Sequence, residues 1–378
     1  MVSTVRELSP EQALQDERYM RLALALGERN LGLTWPNPSV GAVVVGLADG
    51  QPVVIAQGAT QVGGRPHAER VALAAAGERA RGATLYVSLE PCSHHGRTPP
   101  CADAVIESGI TRVVSAVEDP DPRVAGVGHA RLREAGTDVV VGCLRREALR
   151  AHRGHITRVT KARPAVTVKL ARTTEGFAGS RTGARLMITG EAANARVHLM
   201  RAHADAVMVG VGTVLADDPL LTVRLPGLES RSPVRIVIDS HLRTPPTSRL
   251  VAGAGEVPTW IVTTTGASVE VEKNLVERGA QVLRVASDEA GRVALSEALR
   301  LLGSRGLTRV FCEGGPELAD ALAQADLIDD LILVTGRSAR GEGDVPALGP
   351  ALQDRMDDLL LAADEQAGKD LFMFWEKP

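Results

Sequence analysis

Aromatic side chains are scarce in this chain of 378 residues, which has four Phe, three Trp and two Tyr. A surface that grips single-stranded nucleic acid by stacking bases would usually carry more. An excess of one charge is also missing. The formal net charge is −3, so no overall positive field attracts nucleic acid. No apolar run approaches the roughly 18 residues of a membrane helix. Arg6, Glu7, Glu11, Asp16, Glu17, Arg18 and Arg21 interrupt any leader-like core near the start. The four cysteines, Cys92, Cys101, Cys143 and Cys312, are too few for a disulfide framework. The expectation is a cytoplasmic enzyme with no nucleic-acid and no membrane partner. With 44% hydrophobic and 24% charged residues the chain reads as globular, and its length accommodates two domains.

What the chain does have is strand periodicity alternating with helix periodicity. Met20, Leu22, Ala23, Leu24 and Leu26 give an apolar side to a helix expected over 10–30, with Pro10 in its first turn. Residues 40–45 read as a buried strand, Asp49-Gly50 as a hairpin turn and 52–56 as the partner strand. A helix over 67–80, a strand over 83–89 and a helix from Cys101 ended by Gly109 come next. A strand over 112–117, a helix over 129–135 and a strand over 138–141 complete the pattern. This order predicts a layered α/β domain with a largely parallel sheet. The basic stretch 144–163 reads as a solvated helix and linker, which places the domains at 1–148 and 149–378. In the second domain, strands are expected at 165–170, 205–211, 234–239, 258–263, 281–285, 308–312, 328–334 and 371–375. Helices are expected at 190–203, 270–278, 294–302 and 316–324.

The chemistry of the first half lies in His67-Ala68-Glu69, Pro91-Cys92 and Cys101. Structural zinc usually takes four protein ligands and catalytic zinc three, with one position left for water. One histidine and two cysteines make three, since Cys143 is remote and Cys312 lies in the other half. Zinc would bring water to a pKa of about 7, and Glu69 would carry its proton to a leaving group. The order His-x-Glu, Pro-Cys, Cys is a zinc deaminase signature, although here eight residues, Ser93 to Pro100, separate the cysteines instead of two. His94 and His95 remain alternative ligands on spacing alone.

In the second half, residues 209–224 run Val-Gly-Val-Gly-Thr-Val-Leu-Ala-Asp-Asp-Pro-Leu-Leu-Thr-Val-Arg. They read as a strand ending in glycines, a polar turn and a second short strand. Gly210 and Gly212 let a cofactor approach the backbone. Phe311-Cys312-Glu313-Gly314-Gly315-Pro316-Glu317-Leu318 reads as a strand running into a helix N-terminus, a ready phosphate site.

Residues 91–101, Pro-Cys-Ser-His-His-Gly-Arg-Thr-Pro-Pro-Cys, together with Trp35-Pro-Asn-Pro-Ser-Val-Gly-Ala-Val43, resemble the deaminase domain of the bifunctional riboflavin-biosynthesis deaminase/reductases. The second half is similar to that family's dihydrofolate-reductase-like domain, so the resemblance covers nearly the whole chain. It implies a cytidine-deaminase-like α/β/α layered domain followed by a dihydrofolate-reductase-like α/β domain. It also implies zinc on His67, Cys92 and Cys101, with Glu69 as the catalytic proton shuttle. Asn37, His94, His95 and Arg97 would lie near the pyrimidine or its ribose phosphate. NADPH would meet Ala171, Met187, Thr213, Asp217, Gly315, Pro316 and Glu317, and the reductase substrate would meet Arg185, Leu221, Arg224 and Glu313.

The implied reactions are hydrolytic deamination of a diaminopyrimidinone ribosyl phosphate, then hydride transfer to the ribose C1′, which opens it to a ribityl chain. The only expected partners are the phosphorylated pyrimidine and further copies of the chain, in a homodimer or a higher homo-oligomer. The sequence departs from the family's usual pattern in two places. It has Glu175-Gly176 where Asp-Gly is common, and Arg185-Leu-Met187-Ile-Thr189 where Ser-x-Trp-Ile-Thr is common. Three rivals stay open at this point: a nucleic-acid deaminase with an appended domain, a zinc-stabilised binding module, and a chain in which only the deaminase works.

Overall fold

The computed structural model describes residues 9–96, 99–180, 186–337 and 343–377. It divides into two compact units, Met1–Lys161 and Ala162–Pro378.

In the first unit, β1 (Gly41–Ala48) and β2 (Gln51–Ala59) form a hairpin. Asp49 and Gly50 have φ of 51° and 75°, the left-handed pair that a tight two-residue hairpin needs. β3 (Thr84–Val87), β4 (Arg112–Ser115) and β5 (Asp138–Val141) complete a sheet of order β2-β1-β3-β4-β5. β1 is antiparallel to both neighbours, whereas β3, β4 and β5 run parallel. The sheet is therefore mixed rather than largely parallel. The hairpin forces this, because β1 is inserted between β2 and β3 while the helix Ala68–Ala76 carries the chain across from one to the other.

Ala42, Val43, Val44 and Val45 are all buried, as their unbroken apolar run predicts for a strand covered on both faces. The helix Pro10–Glu28 starts at Ser9, whose side chain accepts from Gln12 N. It lies so close to β1 that a Cβ on Gly41 would stand 1.9 Å from Ala23 O. Its buried Asp16 accepts two bonds from Arg112, at 2.8 and 2.7 Å, and one from the Tyr86 hydroxyl at 2.9 Å.

The basic stretch forms two helices, Arg145–Ala151 and Arg153–Lys161, and it is fastened to the first unit. Ala148 is buried in that unit's core. His152 Nε2 is 3.1 Å from Ser88 Oγ, and His155 Nε2 is 2.9 Å from Asp119 Oδ1. The units accordingly divide between Lys161 and Ala162, whereas the sequence reading placed the boundary between 148 and 149.

The second unit contains β6 (Ala165–Thr173), β7 (Phe177–Gly179), β8 (Ala206–Gly210), β9 (Val234–Ile238), β10 (Thr259–Thr264) and β11 (Gln281–Val285). β12 (Arg309–Cys312), β13 (Asp330–Gly336), β14 (Val345–Pro346), β15 (Leu360–Ala367) and β16 (Asp370–Glu376) follow. Nine strands form one sheet of order β11-β10-β9-β8-β12-β6-β13-β16-β15, and β14 pairs with β7. From β11 to β13 every pairing is parallel, while β16 and β15 run antiparallel at one edge.

Two expectations fail here. β15 was not foreseen, because Leu-Leu-Ala-Ala-Asp-Glu-Gln-Ala lacks β-branched residues and clean alternation. The glycines after β8 open a helix, Val211–Asp217, instead of a polar turn. Asp218 and Leu221 then take φ of 39° and 52°, so no strand forms over 220–224.

Candidate metal and cofactor sites

The metal site is built at the ends of three segments. His67 caps the helix Ala68–Ala76 from extended backbone, Cys92 follows β3 after a short connection, and Cys101 is the first residue of the helix Cys101–Glu107. His67 Nδ1 stands 3.7 Å from Cys92 Sγ and 3.4 Å from Cys101 Sγ. One ligand atom from each lies within 4.8 Å of the other two, so the trio can close on one ion. The N-terminus of this last helix acts on the neighbouring thiol: Cys101 N–H donates to Cys92 Sγ at 3.3 Å.

The side-chain hydrogen bond from the Cys101 thiol, helped by the nearby imidazole and by Cys101 N–H, holds the Cys92 thiol down at about 4. The Cys101 thiol is pushed up, first by that same bond and then by burial. His67 is raised by its bond with Cys92, against burial. A trio that shares its protons in this way suits a cation that would displace them.

Glu69 lies in the first helical turn, 4% exposed. Burial, reinforced by the charge of Cys92, pushes its carboxyl up to about 7, close to the neutral range where a proton shuttle works best. Around this centre, Asn37 Nδ2 donates to Gly64 O at 3.1 Å. His94 Nδ1 is buried without a hydrogen-bond partner, and His95 is exposed. Arg97 lies outside the described residues. His94 and His95 are absent from the groups of side chains that could hold an ion, which are His67-Cys92-Cys101 and Glu90-Glu118-His129 among the described residues.

The second group is a loop anchor. Glu90 already accepts Asp119 N, Gly126 N and His129 N at 3.2, 2.9 and 3.1 Å. It thereby clamps the loop after β4 beside Cys92, and Ser93 Oγ donates to Arg123 O in the same loop. Asp119 was missed by sequence reasoning. Its signal was weak, an acidic residue in a Glu-Asp-Pro-Asp-Pro loop just after a strand.

In the second unit a charged cluster sits at the C-terminal ends of parallel strands, where α/β sheets place ligands. Glu313 follows β12 and pairs with Arg201 through both carboxylate oxygens. Burial alone would raise Glu313, but the Arg201 charge and hydrogen bonds outweigh it and hold the carboxyl below its ordinary value. Lys169, within β6, is lowered by burial while Glu313 pulls the other way. His198 Nδ1 accepts Arg224 N at 3.2 Å. The exposed Arg224 side chain is lowered by desolvation and then by the charges of Arg201 and Arg249, which makes this a cationic corner suited to an anion. Lys169, His198 and Arg201 were missed. A lysine inside Val-Thr-Val-Lys-Leu and a His-x-x-Arg pair on one helix face were the available signals.

The other expected positions are dispersed. Thr213 and Asp217 lie on the helix Val211–Asp217, and Ala171 pairs with Val334 across β6 and β13. Gly315 caps the helix Pro316–Gln324 without a side-chain hydrogen bond, and a Cβ on it would meet nothing within 4 Å. Backbone and dipole there fit a phosphate, and Glu317 stands exposed in the first turn. Leu221 is a core side chain, 3% exposed, so any contact it makes with a substrate falls to its main chain. Met187 is 49% exposed. Glu175 is exposed in the turn after β6, with Gly176 at φ 93°, and Arg185 lies outside the described residues.

The first unit is a deaminase of the zinc-binding kind and the second is a reductase domain. Residues 13–117 match the family described as cytidine and deoxycytidylate deaminase zinc-binding region, and residues 164–359 match the RibD C-terminal domain. The chain belongs to the RibD family of riboflavin-biosynthesis enzymes, with a zinc-dependent deaminase half and an NADPH-dependent reductase half. It is 41% identical over 351 residues to riboflavin biosynthesis protein RibD of Escherichia coli K12, covering 89% of this chain and 92% of that one. To the protein of that name in Aquifex aeolicus VF5 it is 39% identical over 363 residues, covering 96% and 98%.

Acinetobacter baumannii RibD, form 1, superposes with a TM-score of 0.83 at 31% identity, covering 97% of this chain and 99% of that one. A Thermotoga maritima diaminohydroxyphosphoribosylaminopyrimidine deaminase/5-amino-6-(5-phosphoribosylamino)uracil reductase superposes at 0.81 with 32% identity, covering 97% and 100%. A nucleic-acid deaminase and a non-enzymatic zinc module are thereby set aside. No helix among the described residues is long and apolar enough to cross a membrane.

Proposed function

We propose that His67, Cys92 and Cys101 hold the zinc ion and that Glu69 is the proton carrier. The observation that carries this reading is the closure of the three ligand atoms within 4.8 Å beside a buried carboxyl raised to about 7. Zinc bound there supplies a Lewis acid that makes water nucleophilic at neutral pH. Glu69 would take a proton from water as its oxygen bonds the ring carbon, and would deliver that proton to the exocyclic nitrogen, whose bond to the same carbon breaks to release ammonia. The substrate is the diaminopyrimidinone ribosyl phosphate, with Asn37 and His94 at its edge and Arg97 toward an anionic group. The burial of Glu69 keeps bulk water from competing for its proton.

In the second unit, Arg224 receives the substrate's phosphate at a corner made cationic by Arg249 and by Arg201, whose own guanidinium is held by Glu313 and Thr222 O. NADPH bound there would supply a hydride for the ribose C1′. Lys169, lowered by burial, gives the proton that the ring oxygen takes as the ribose opens, and Glu313 orients Lys169 and Arg201. Thr213, Asp217, Ala171, Met187 and the Gly315-Pro316-Glu317 turn line the cofactor side, with Leu221 and Arg185 on the substrate side. We place the enzyme in the cytoplasm as a homodimer or higher homo-oligomer. The open edge of β15, where Leu360 and Leu361 are 51% and 49% exposed, supports pairing between copies.

The test is to follow ammonia release and NADPH oxidation separately, using the zinc-loaded protein and the diaminopyrimidinone ribosyl phosphate. Ammonia without NADPH oxidation would confine activity to the first unit. Light scattering on the protein and on Leu361→Glu tests the assembly, and a monomer in both would sink that part.

A further inference from the structure

The segment that carries Arg224 has no sheet to hold it. Asp218 and Leu221 turn the chain at positive φ, and no strand forms over 220–224. Its backbone groups need partners from outside, since an unpaired peptide group shielded from water costs free energy. Three side chains supply them at three successive residues. Arg201 Nη1 donates to Thr222 O at 3.0 Å, Val223 N–H donates to Ser232 Oγ at 3.0 Å, and Arg224 N–H donates to His198 Nδ1 at 3.2 Å.

His198 and Arg201 lie three residues apart on the helix Glu191–Ala202, the spacing that puts two side chains on one face. Arg201 is itself fixed by Glu313. One helix thus ties the Arg224 segment to the end of β12. Within this arrangement His198 holds the main chain of Arg224 itself, one residue beyond the buried Val223. The Arg224 side chain leaves this anchored backbone toward solvent, so its reach is set by where the backbone is held.

To accept that bond, Nδ1 needs a free lone pair, which a protonated ring lacks. Burial, followed by the charges of Arg201 and Arg224, outweighs Glu313 and the Thr222 backbone and lowers the imidazole. The ring is therefore uncharged at neutral pH, with its proton on Nε2.

We infer that His198 is a positioning residue of the reductase: by holding the Arg224 main chain it sets where that guanidinium meets the substrate's phosphate. It acts through Arg224 rather than on the substrate. This rests on the reading of Arg224 as the residue that receives the phosphate.

The experiment measures NADPH oxidation by the full-length protein with the deaminated ribosyl phosphate as substrate. His198→Leu removes the acceptor. It should raise KM for that substrate about two- to tenfold, the net worth of one hydrogen bond, with kcat and KM for NADPH nearly unchanged. His198→Asn puts an amide oxygen close to where Nδ1 stands and should restore most of the natural KM. His198→Gln carries its amide one bond further and should behave as His198→Leu does, so the two polar variants decide the matter if the apolar one folds poorly. In the Arg224→Gln background, which itself raises KM, the loss of His198 should add nothing, because the two residues act as one unit. An unchanged KM, equal losses in all three His198 variants, a fall in kcat alone, or full additivity with Arg224→Gln would overturn the assignment. A natural KM in Arg224→Gln would instead overturn the reading of Arg224.

Discussion

Arg201 and Glu313 form a fork-on-fork pair, with Arg201 Nη2 2.9 Å from Glu313 Oε2 and Nε on the other oxygen. Their side chains are 12% and 10% exposed, so the pair is largely shielded from water and fixes where both groups point. Arg201→Met would leave a buried carboxylate without its cation, which costs about 3–5 kcal/mol when a buried pair is broken. NADPH oxidation should be lost, the melting temperature of the second unit should drop and ammonia release should persist. Equal loss of both activities would contradict the independence of the two sites.

Glu69→Gln keeps the size of the side chain and removes its ability to carry a proton. Ammonia release should fall about 10²- to 10⁴-fold, the usual worth of a positioned acid–base group, while bound zinc stays stoichiometric. Metal analysis and ammonia assay on one preparation decide it, and loss of zinc with the activity would assign Glu69 to metal retention.

Removing zinc with a chelator should expose one thiol above all others. Cys143 and Cys312 are pushed up by burial to about 11 and 12, whereas Cys92 is held at about 4. Thiolate is the reactive form, so mass spectrometry after brief alkylation at pH 7 should find label on Cys92 first, and only after chelation. Early label on Cys143 would contradict this.

The stability of the first unit should fall in acid through His129. Burial, with the charge of Arg133, lowers its imidazole to about 4, below the unfolded value of about 6.5. The unfolded chain then binds the proton first as pH drops. The stabilisation is complete above about 6.5 and is lost as pH falls toward about 4. Urea midpoints between pH 7.5 and 5 should decline less steeply for His129→Leu than for the natural protein, and parallel slopes would rule the residue out.

The zinc site was legible in sequence because its residues are chemically unusual and stand at segment ends, where a helix cap and a strand terminus fix them. The fold class and most strands were legible from apolar runs such as Val43 to Val45. The reductase cluster was harder to read. Lys169 hides within an apolar strand, and Arg201 gains meaning only when β12 brings Glu313 to it. Leu221 was given a substrate role, yet its side chain is core. Contacts run on past the expected boundary through Ala148, His152 and His155, groups that tie the basic helices inward and are few among the arginines around them. Arg97 and Arg185 lie outside the described residues.

Those two imidazoles bear on how the gene could be divided. His152 and His155 meet Ser88 and Asp119, residues near the ends of the strands that lead to the zinc ligands and the loop beside them. A stop codon placed at 148 would amputate both braces while leaving every residue of the deaminase signature intact. A deaminase module that keeps both braces runs through Lys161, so the seam that preserves these contacts lies downstream of the catalytic motif's apparent edge.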